Sequence, residues 1–419
     1  MAQDHVAARE PGLKEFVALM ASIMALNALA LDQMLPALPA MGDDLQVANP
    51  NDRQWIITSY FLGLGFGSLI YGPLSDRVGR KSVLVWSIVL FLGATLVCML
   101  AQSFAVEIAG RTAAGLFAAA GRVITVSIVR DRFSGDRMAR ITSLIFLCFI
   151  IVPVIAPSLG QLTLQFGSWR LIFGSLLMFG APVLVWLIVR LPETLDPANV
   201  TVLSAGTVME GLREITRHRM AMGYVLATGV VSGSLTGFMV SVQQIFSDHF
   251  GNAAIFPLAF AAMASFMGVG SYFNSRLVER LGSRWLSHVS LVFTILLAAV
   301  HSIVILSGFE SLPVFMALQV MTMLGFAFAL PNFSAISMMP FGRTAGLAST
   351  FQTFLTSVMA ALLGAAIGAQ FNGTPLPAVL GFLGLGLIGL GLIAWAESWR
   401  LFRKSDTTPE TILPETSAT

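Results

Sequence analysis

Apolar runs of about twenty residues, the length of helix needed to cross the hydrocarbon core of a bilayer, recur along nearly the whole chain. We place twelve of them, near 16–38, 54–74, 82–101, 104–129, 139–164, 170–189, 221–246, 253–275, 285–307, 311–338, 345–369 and 376–398. A soluble domain must cover its surface with charge, at about 25% of its residues; here only 11% are charged. A water-soluble enzyme is thereby excluded, and the expected fold class is an all-α integral membrane protein. Stretches such as 82–100 do not alternate in polarity, so a membrane β-barrel is excluded too. The 38 glycines have no fixed period, and Cys98 and Cys148 sit inside apolar runs as buried filler rather than as a disulfide framework. The stretch 16–30 imitates a signal-peptide core. Its apolar run nevertheless continues past the small residues Ala28 and Ala30, so we read it as the first span.

The basic residues orient the spans, because short positively charged loops resist translocation. With the N-terminus in the cytoplasm, of the 24 Lys and Arg only Arg53 and Arg170 fall on the opposite side, and Arg111 and Arg122 lie inside the fourth span. Both termini are therefore expected in the cytoplasm of a bacterial-type inner membrane. The longest hydrophilic stretch then divides the chain. The organisation expected is a tail at 1–15, a six-helix bundle at 16–190, a cytoplasmic linker at 191–220, a second six-helix bundle at 221–400 and a tail at 401–419.

The halves repeat. Gly72-Pro-Leu-Ser-Asp-Arg-Val-Gly-Arg-Lys81 aligns with Ser275-Arg-Leu-Val-Glu-Arg-Leu-Gly-Ser-Arg284, matching Asp76 to Glu279, Arg77 to Arg280, Gly79 to Gly282 and Lys81 to Arg284. Six spans repeated about an axis normal to the membrane imply a binding site between the halves near mid-membrane.

These residues carry a resemblance. The stretch from Gly72 to Lys81 resembles the loop signature of the major facilitator superfamily. Leu31-Asp-Gln-Met-Leu-Pro-Ala-Leu-Pro39, Arg111-Thr-Ala-Ala-Gly115, Pro153-Val-Ile-Ala-Pro157-Ser-Leu-Gly160 and Leu191-Pro-Glu-Thr-Leu195 together resemble its Bcr/CflA branch of drug:proton antiporters. Ala114 stands where that branch usually has Gln, and Ser68 replaces a frequent Gln. The resemblance implies the major facilitator fold, twelve transmembrane helices in two pseudo-symmetric six-helix bundles. It implies proton-coupled export of lipophilic or amphipathic molecules by alternating access. A major facilitator carrier for a specific metabolite, moving it in or out, is the alternative.

An antiporter needs a proton-binding group that both membrane faces reach in turn, and an ionisable residue inside a span costs about 3 kcal/mol on insertion scales. Asp32 is the first candidate, with Asn27 a turn and a half away; the other reading of Asp32 is an anchor for an unwound helix end beside Pro36 and Pro39. In the fourth span Glu107 and Arg111 are four residues apart and can pair. Arg122, eleven residues beyond Arg111, returns to within about 20° of it, so all three are expected on one face lining the cavity. By resemblance Arg111 is the family's membrane-embedded arginine, which influences protonation of a nearby carboxylate. The last six spans hold no charged residue in their interiors, so proton chemistry is expected in the first half, with Gln243, Gln244, Gln319 and Asn332 available for substrate. Histidines at span ends, His288 and His301, are read as interfacial.

Gly72, Asp76, Arg77, Gly79, Arg80 and Lys81 form the cytoplasmic gate loop, which by resemblance latches the outward-open state; fixing topology is the alternative role. Pro153 and Pro157 remove two backbone donors from one helix and Gly160 allows tight packing, so a fifth-helix bend is expected there. No metal, nucleotide or nucleophile motif stands out, and no cofactor or nucleic-acid partner is expected. The expected partners are a small drug-like substrate, protons and the lipid bilayer; nothing compels self-association, so a monomer is expected.

Overall fold

The computed structural model describes residues 11–195, 212–341 and 345–402, without the side chains of 136, 139, 146–150 and 345. Among the described residues there are twelve long helices: α1 (Leu13–Asp32), α2 (Trp55–Val78), α3 (Arg80–Leu100), α4 (Phe104–Arg132), α5 (Gly135–Leu164), α6 (Arg170–Arg190), α7 (Arg219–Gln244), α8 (Phe256–Leu281), α9 (Ser283–Leu306), α10 (Leu312–Met338), α11 (Ala345–Gly368) and α12 (Leu376–Ala396). Eleven are long and apolar enough to cross a bilayer, and the apolar stretch found in α5 is Ile151–Leu164. There is no strand among the described residues.

Side chains such as Trp86, Leu258, Leu296 and Leu306 point outward and stay more than half exposed. An apolar exterior around a packed interior is what lipid, not water, solvates. α1 breaks earlier than its apolar run implied. It stops at Asp32, turns through Leu35–Ala37 and resumes as the short helix Leu38–Asp44. Pro36 and Pro39 lack backbone donors and disfavour helix in the residue before them, which accounts for the break. Within the expected linker, 212–217 is helical, and Ile215 is buried with Ala221, Phe341 and Ala348.

The internal repeat is visible in three dimensions. In the first half α1 packs on α4, α5 and α6, α2 on α3 and α4, and α3 on α4 and α6. In the second half the same pairs recur six helices later, with α7 on α10, α11 and α12, α8 on α9 and α10, and α9 on α10 and α12. Between the halves, α2 packs on α11 and its symmetry counterpart α5 on α8. The aligned glycines also match: Gly79 (φ 113°) ends α2 and Gly282 (φ 80°) ends α8, backbone conformations that glycine adopts without strain.

Candidate functional site

Asp32 is the last residue of α1 and is buried, 4% exposed. Among the described residues its carboxyl has no hydrogen-bond or ion-pair partner. α5 reaches this point closely, because a Cβ on Gly160 would sit 1.9 Å from the Gln33 carbonyl oxygen. Pro153 and Pro157 lie within α5, which runs continuously as helix from Gly135 to Leu164.

Next to the break, α2 and α4 meet backbone to backbone. A Cβ on Gly115 would fall 2.0 Å from the Tyr60 carbonyl oxygen, so only glycine permits this approach. The contact places the Tyr60 ring against Arg111, whose guanidinium carbon is 4.4 Å from the ring centroid. Arg111 Nε donates to the Ile56 carbonyl oxygen at 3.2 Å, and its Nη2 has no partner. Tyr60 in turn donates its hydroxyl proton to Asn27 Oδ1 at 2.8 Å. Sequence reading missed Tyr60, although it is one of only four tyrosines in the chain.

The expected pairing of Glu107 with Arg111 is not formed as a hydrogen bond. Both Glu107 oxygens are buried without a hydrogen-bond partner. The spacing allows the pair, but the ring and carbonyl of α2 take the guanidinium instead. The shared cavity-lining face is also revised. Glu107 (0% exposed) and Arg111 (1% exposed) are enclosed within the first half, and only Arg122 opens onto the cavity.

That cavity, about 160 Å³, lies between the halves, walled by Asn27, Ala28 and Leu31 of α1, Phe61, Leu64 and Ser68 of α2, Arg122 of α4, and Thr353 and Ser357 of α11. Of the expected substrate residues, Asn27 and Arg122 line it, whereas Asp32, Arg111, Gln243 and Asn332 do not. Asn332 is occupied holding α10 to α8 through Asn274 Oδ1 and its own helix through the Phe328 carbonyl, both at 2.7 Å. Gln243 is buried with Oε1 unpartnered. A more open groove along α6, lined by Ala181, Pro182, Val185 and Trp186, is almost wholly apolar and belongs to the outward surface.

In the loop signature, Arg80 is buried and pairs with Asp76 and with Asp131 Oδ2 at 2.9 Å, while donating to Ser75 Oγ at 2.7 Å. Arg77 is exposed, Lys81 Nζ donates to the Ile188 carbonyl at 2.8 Å, and Gly72 faces Thr350 of α11. The carboxylate of Glu193 accepts from the backbone N–H of Arg80 at 2.8 Å and of Lys81 at 3.1 Å, capping α3 with a negative charge where the helix dipole is positive.

The second half buries its charges differently. Glu310 Oε1 hydrogen-bonds His301 Nε2 at 3.2 Å and His249 Nε2 lies 3.2 Å from its Oε2, while Glu397 pairs with Arg284 at 2.9 Å and accepts from the Tyr224 hydroxyl at 3.0 Å. His288 is not interfacial but fully buried, hydrogen-bonded to Tyr224 at 2.8 Å and to the Phe402 N–H at 3.1 Å. Cys98 is a free buried thiol, and the Cys148 side chain lies outside those described.

The halves are sealed together at the arginine-poor end. Gln54 donates to Gln244 Oε1 and to the Gly368 carbonyl, Asn51 to the carbonyls of Ala369 and Phe371, and Gln244 to that of Pro50.

Comparison with known proteins agrees with this architecture. YdgK, an uncharacterized MFS-type transporter of Bacillus subtilis, is 30% identical over 266 residues, covering 63% of this chain and 65% of that protein. A bicyclomycin resistance protein homolog of Haemophilus influenzae is 27% identical over 290 residues, covering 67% and 71%. The multidrug resistance protein MdtL of Escherichia coli is 32% identical over 182 residues, covering 43% and 46%. The matched regions thus span from under half to about seven tenths of these relatives. A D-xylose–proton symporter superposes with a TM-score of 0.72 at 13% identity, covering 93% of this chain and 98% of that one. A bacterial homolog of the human lysosomal transporter Spinster, inward-facing and unoccupied, gives 0.71 at 15%, covering 93% and 96%. At such identities the likeness is one of fold. The Major Facilitator Superfamily profile itself matches residues 18–364, and the chain is a multi-pass membrane transporter, not an enzyme, belonging to the major facilitator superfamily.

Proposed function

We propose that this transporter exchanges protons for lipophilic or amphipathic small molecules and exports them by alternating access. The observation that carries the reading is Asp32: a buried carboxyl at the break of α1, without a hydrogen-bond or ion-pair partner among the described residues, on the same helix as Asn27, which accepts from the Tyr60 that stacks on Arg111. A carboxyl whose surroundings alternate between dry, wet and cation-bearing changes its hold on a proton, which is the requirement for coupling. Arg111 biases release, with Tyr60 fixing its guanidinium and Asn27 linking the pair to the cavity. The resistance-protein names of two relatives agree with export of drug-like compounds.

The distribution of Lys and Arg assigns the basic end to the cytoplasm. The amide-sealed end then faces outward, and the bundles 16–190 and 221–400 rock about α2–α11 and α5–α8, joined through 191–220. The loop from Gly72 to Lys81 acts as the inner gate, and the prolines and Gly160 of α5 set how that helix bends over α1.

Transport of a protonatable dye in proteoliposomes, with and without an imposed pH gradient, tests this. Asp32→Asn is expected to abolish gradient-driven accumulation while the protein still folds. Retention of gradient-driven exchange by that variant overturns the coupling role.

A further inference from the structure

The cation that lines the cavity is unusual for a membrane interior. Arg122 has no hydrogen-bond or ion-pair partner among the described residues, and its side chain is exposed to the open space between the halves. A guanidinium inside a membrane-spanning segment is costly unless an anion or water satisfies it. The groups around it are of one kind. Tyr60 donates to Asn27 Oδ1, which leaves the Asn27 amide N–H groups as donors. Ser357 of α11 has an uncommitted hydroxyl among the described residues, and Phe61 and Leu64 supply an apolar wall. Asp32, the nearby acid, is not part of this wall.

We propose that Arg122 binds the anionic group of an amphipathic organic acid, a carboxylate or sulfonate whose apolar body rests on Phe61 and Leu64. This rests on the reading of the cavity as the substrate site and names the substrate class. Guanidinium and carboxylate meet as a two-point, charge-assisted pair. The Asn27 amide and the Ser357 hydroxyl add donors from opposite halves, so the bound anion bridges the two bundles. A cavity with this donor set and no acid discriminates against cations.

Equilibrium dialysis of the purified full chain in detergent, without any gradient, tests the proposal with three radiolabelled probes of one skeleton: 2-naphthylacetate, 2-naphthylacetamide and 2-naphthylethylammonium. The wild type is expected to bind the acid most tightly and the ammonium least. Arg122→Gln is expected to weaken the acid about 10- to 100-fold, the worth of one charge-assisted hydrogen bond, and to leave the amide unchanged. Arg122→Lys keeps the charge and is expected to keep the order of the three, so the test stands even if the Gln variant does not fold. Equal or tighter binding of the ammonium overturns the proposal, as does an equal effect of Arg122→Gln on acid and amide. If no probe binds the wild type, the substrate-site reading falls with it. Loss of gradient coupling with acid preference intact removes the proton reading alone.

Discussion

The two halves share every helix pairing but differ in how they treat buried charge. In the second half, among the described residues, Glu397 pairs with Arg284 and accepts from Tyr224, and Glu310 bonds His301 through Oε1, with His249 3.2 Å from its other oxygen, which makes no hydrogen bond. In the first half the buried carboxyl of Asp32 has no partner among the described residues, both buried Glu107 oxygens lack a hydrogen bond, and Arg122 stands unpaired where it lines the cavity. A matched charge is a fastening; on the proposed mechanism the unmatched ones serve the transport cycle. On that reading the same architecture serves as a scaffold on one side and as a working face on the other.

Three substitutions probe that contrast. Arg111→Ala removes a wholly buried side chain together with its ring contact and its bond to the Ile56 carbonyl. Stability should fall by about 2–4 kcal/mol, read as a lower unfolding temperature in detergent, and exchange should be lost with it. A variant of undiminished stability would show that the first-half cluster is not packed as described. Gly368→Ala acts at the seal, where a Cβ would sit 1.6 Å from Gln54 Oε1. It is expected to displace the Gln54 amide, costing about 1–2 kcal/mol of the closed arrangement, and to raise labelling of a cysteine placed at Asn51. Unchanged labelling would mean that the seal does not hold the halves. The smallest effect is expected from Glu310→Gln, which weakens a fastening by about 1 kcal/mol and leaves transport rates at the parental level. A collapse of proton-driven exchange in that variant would erase the distinction between the halves.

The helices were legible because lipid demands length and apolarity, properties that a linear sequence displays directly. The break at Asp32 was partly legible through Pro36 and Pro39, but the run of apolar residues to Leu38 concealed where the helix stops. Asp32, Arg111 and Arg122 stood out as charges in greasy surroundings. What surrounds them did not, since helical spacing says only which side chains of one helix can meet. Arg111 turns from Glu107 to Tyr60 and Ile56, more than fifty residues away in the chain, because Gly115 lets α2 come within touching distance. Asn332 was expected in the cavity and is consumed by Asn274 of another helix. Glu310 lay between two spans and Glu397 at the very end of the last, yet both fold inward onto histidine and arginine partners. Glu193 belonged to a quoted motif without a role, and its function as the cap of α3 needed the fold to bring α6 back beside Gly79.

The amide ladder at the arginine-poor end sets an energy scale for the transport cycle. Its five hydrogen bonds contribute on the order of 3–7 kcal/mol net, at about 0.5–1.5 kcal/mol each. One proton moving down a membrane potential of about 100 mV delivers about 2.3 kcal/mol. A latch of that strength holds at rest against thermal jostling, and on the proposed exchange mechanism it yields when a proton's work is added to bonds re-formed with water. Neutral amides suit the task, since a charged lock at the same place would respond to the membrane voltage as well as to the cargo.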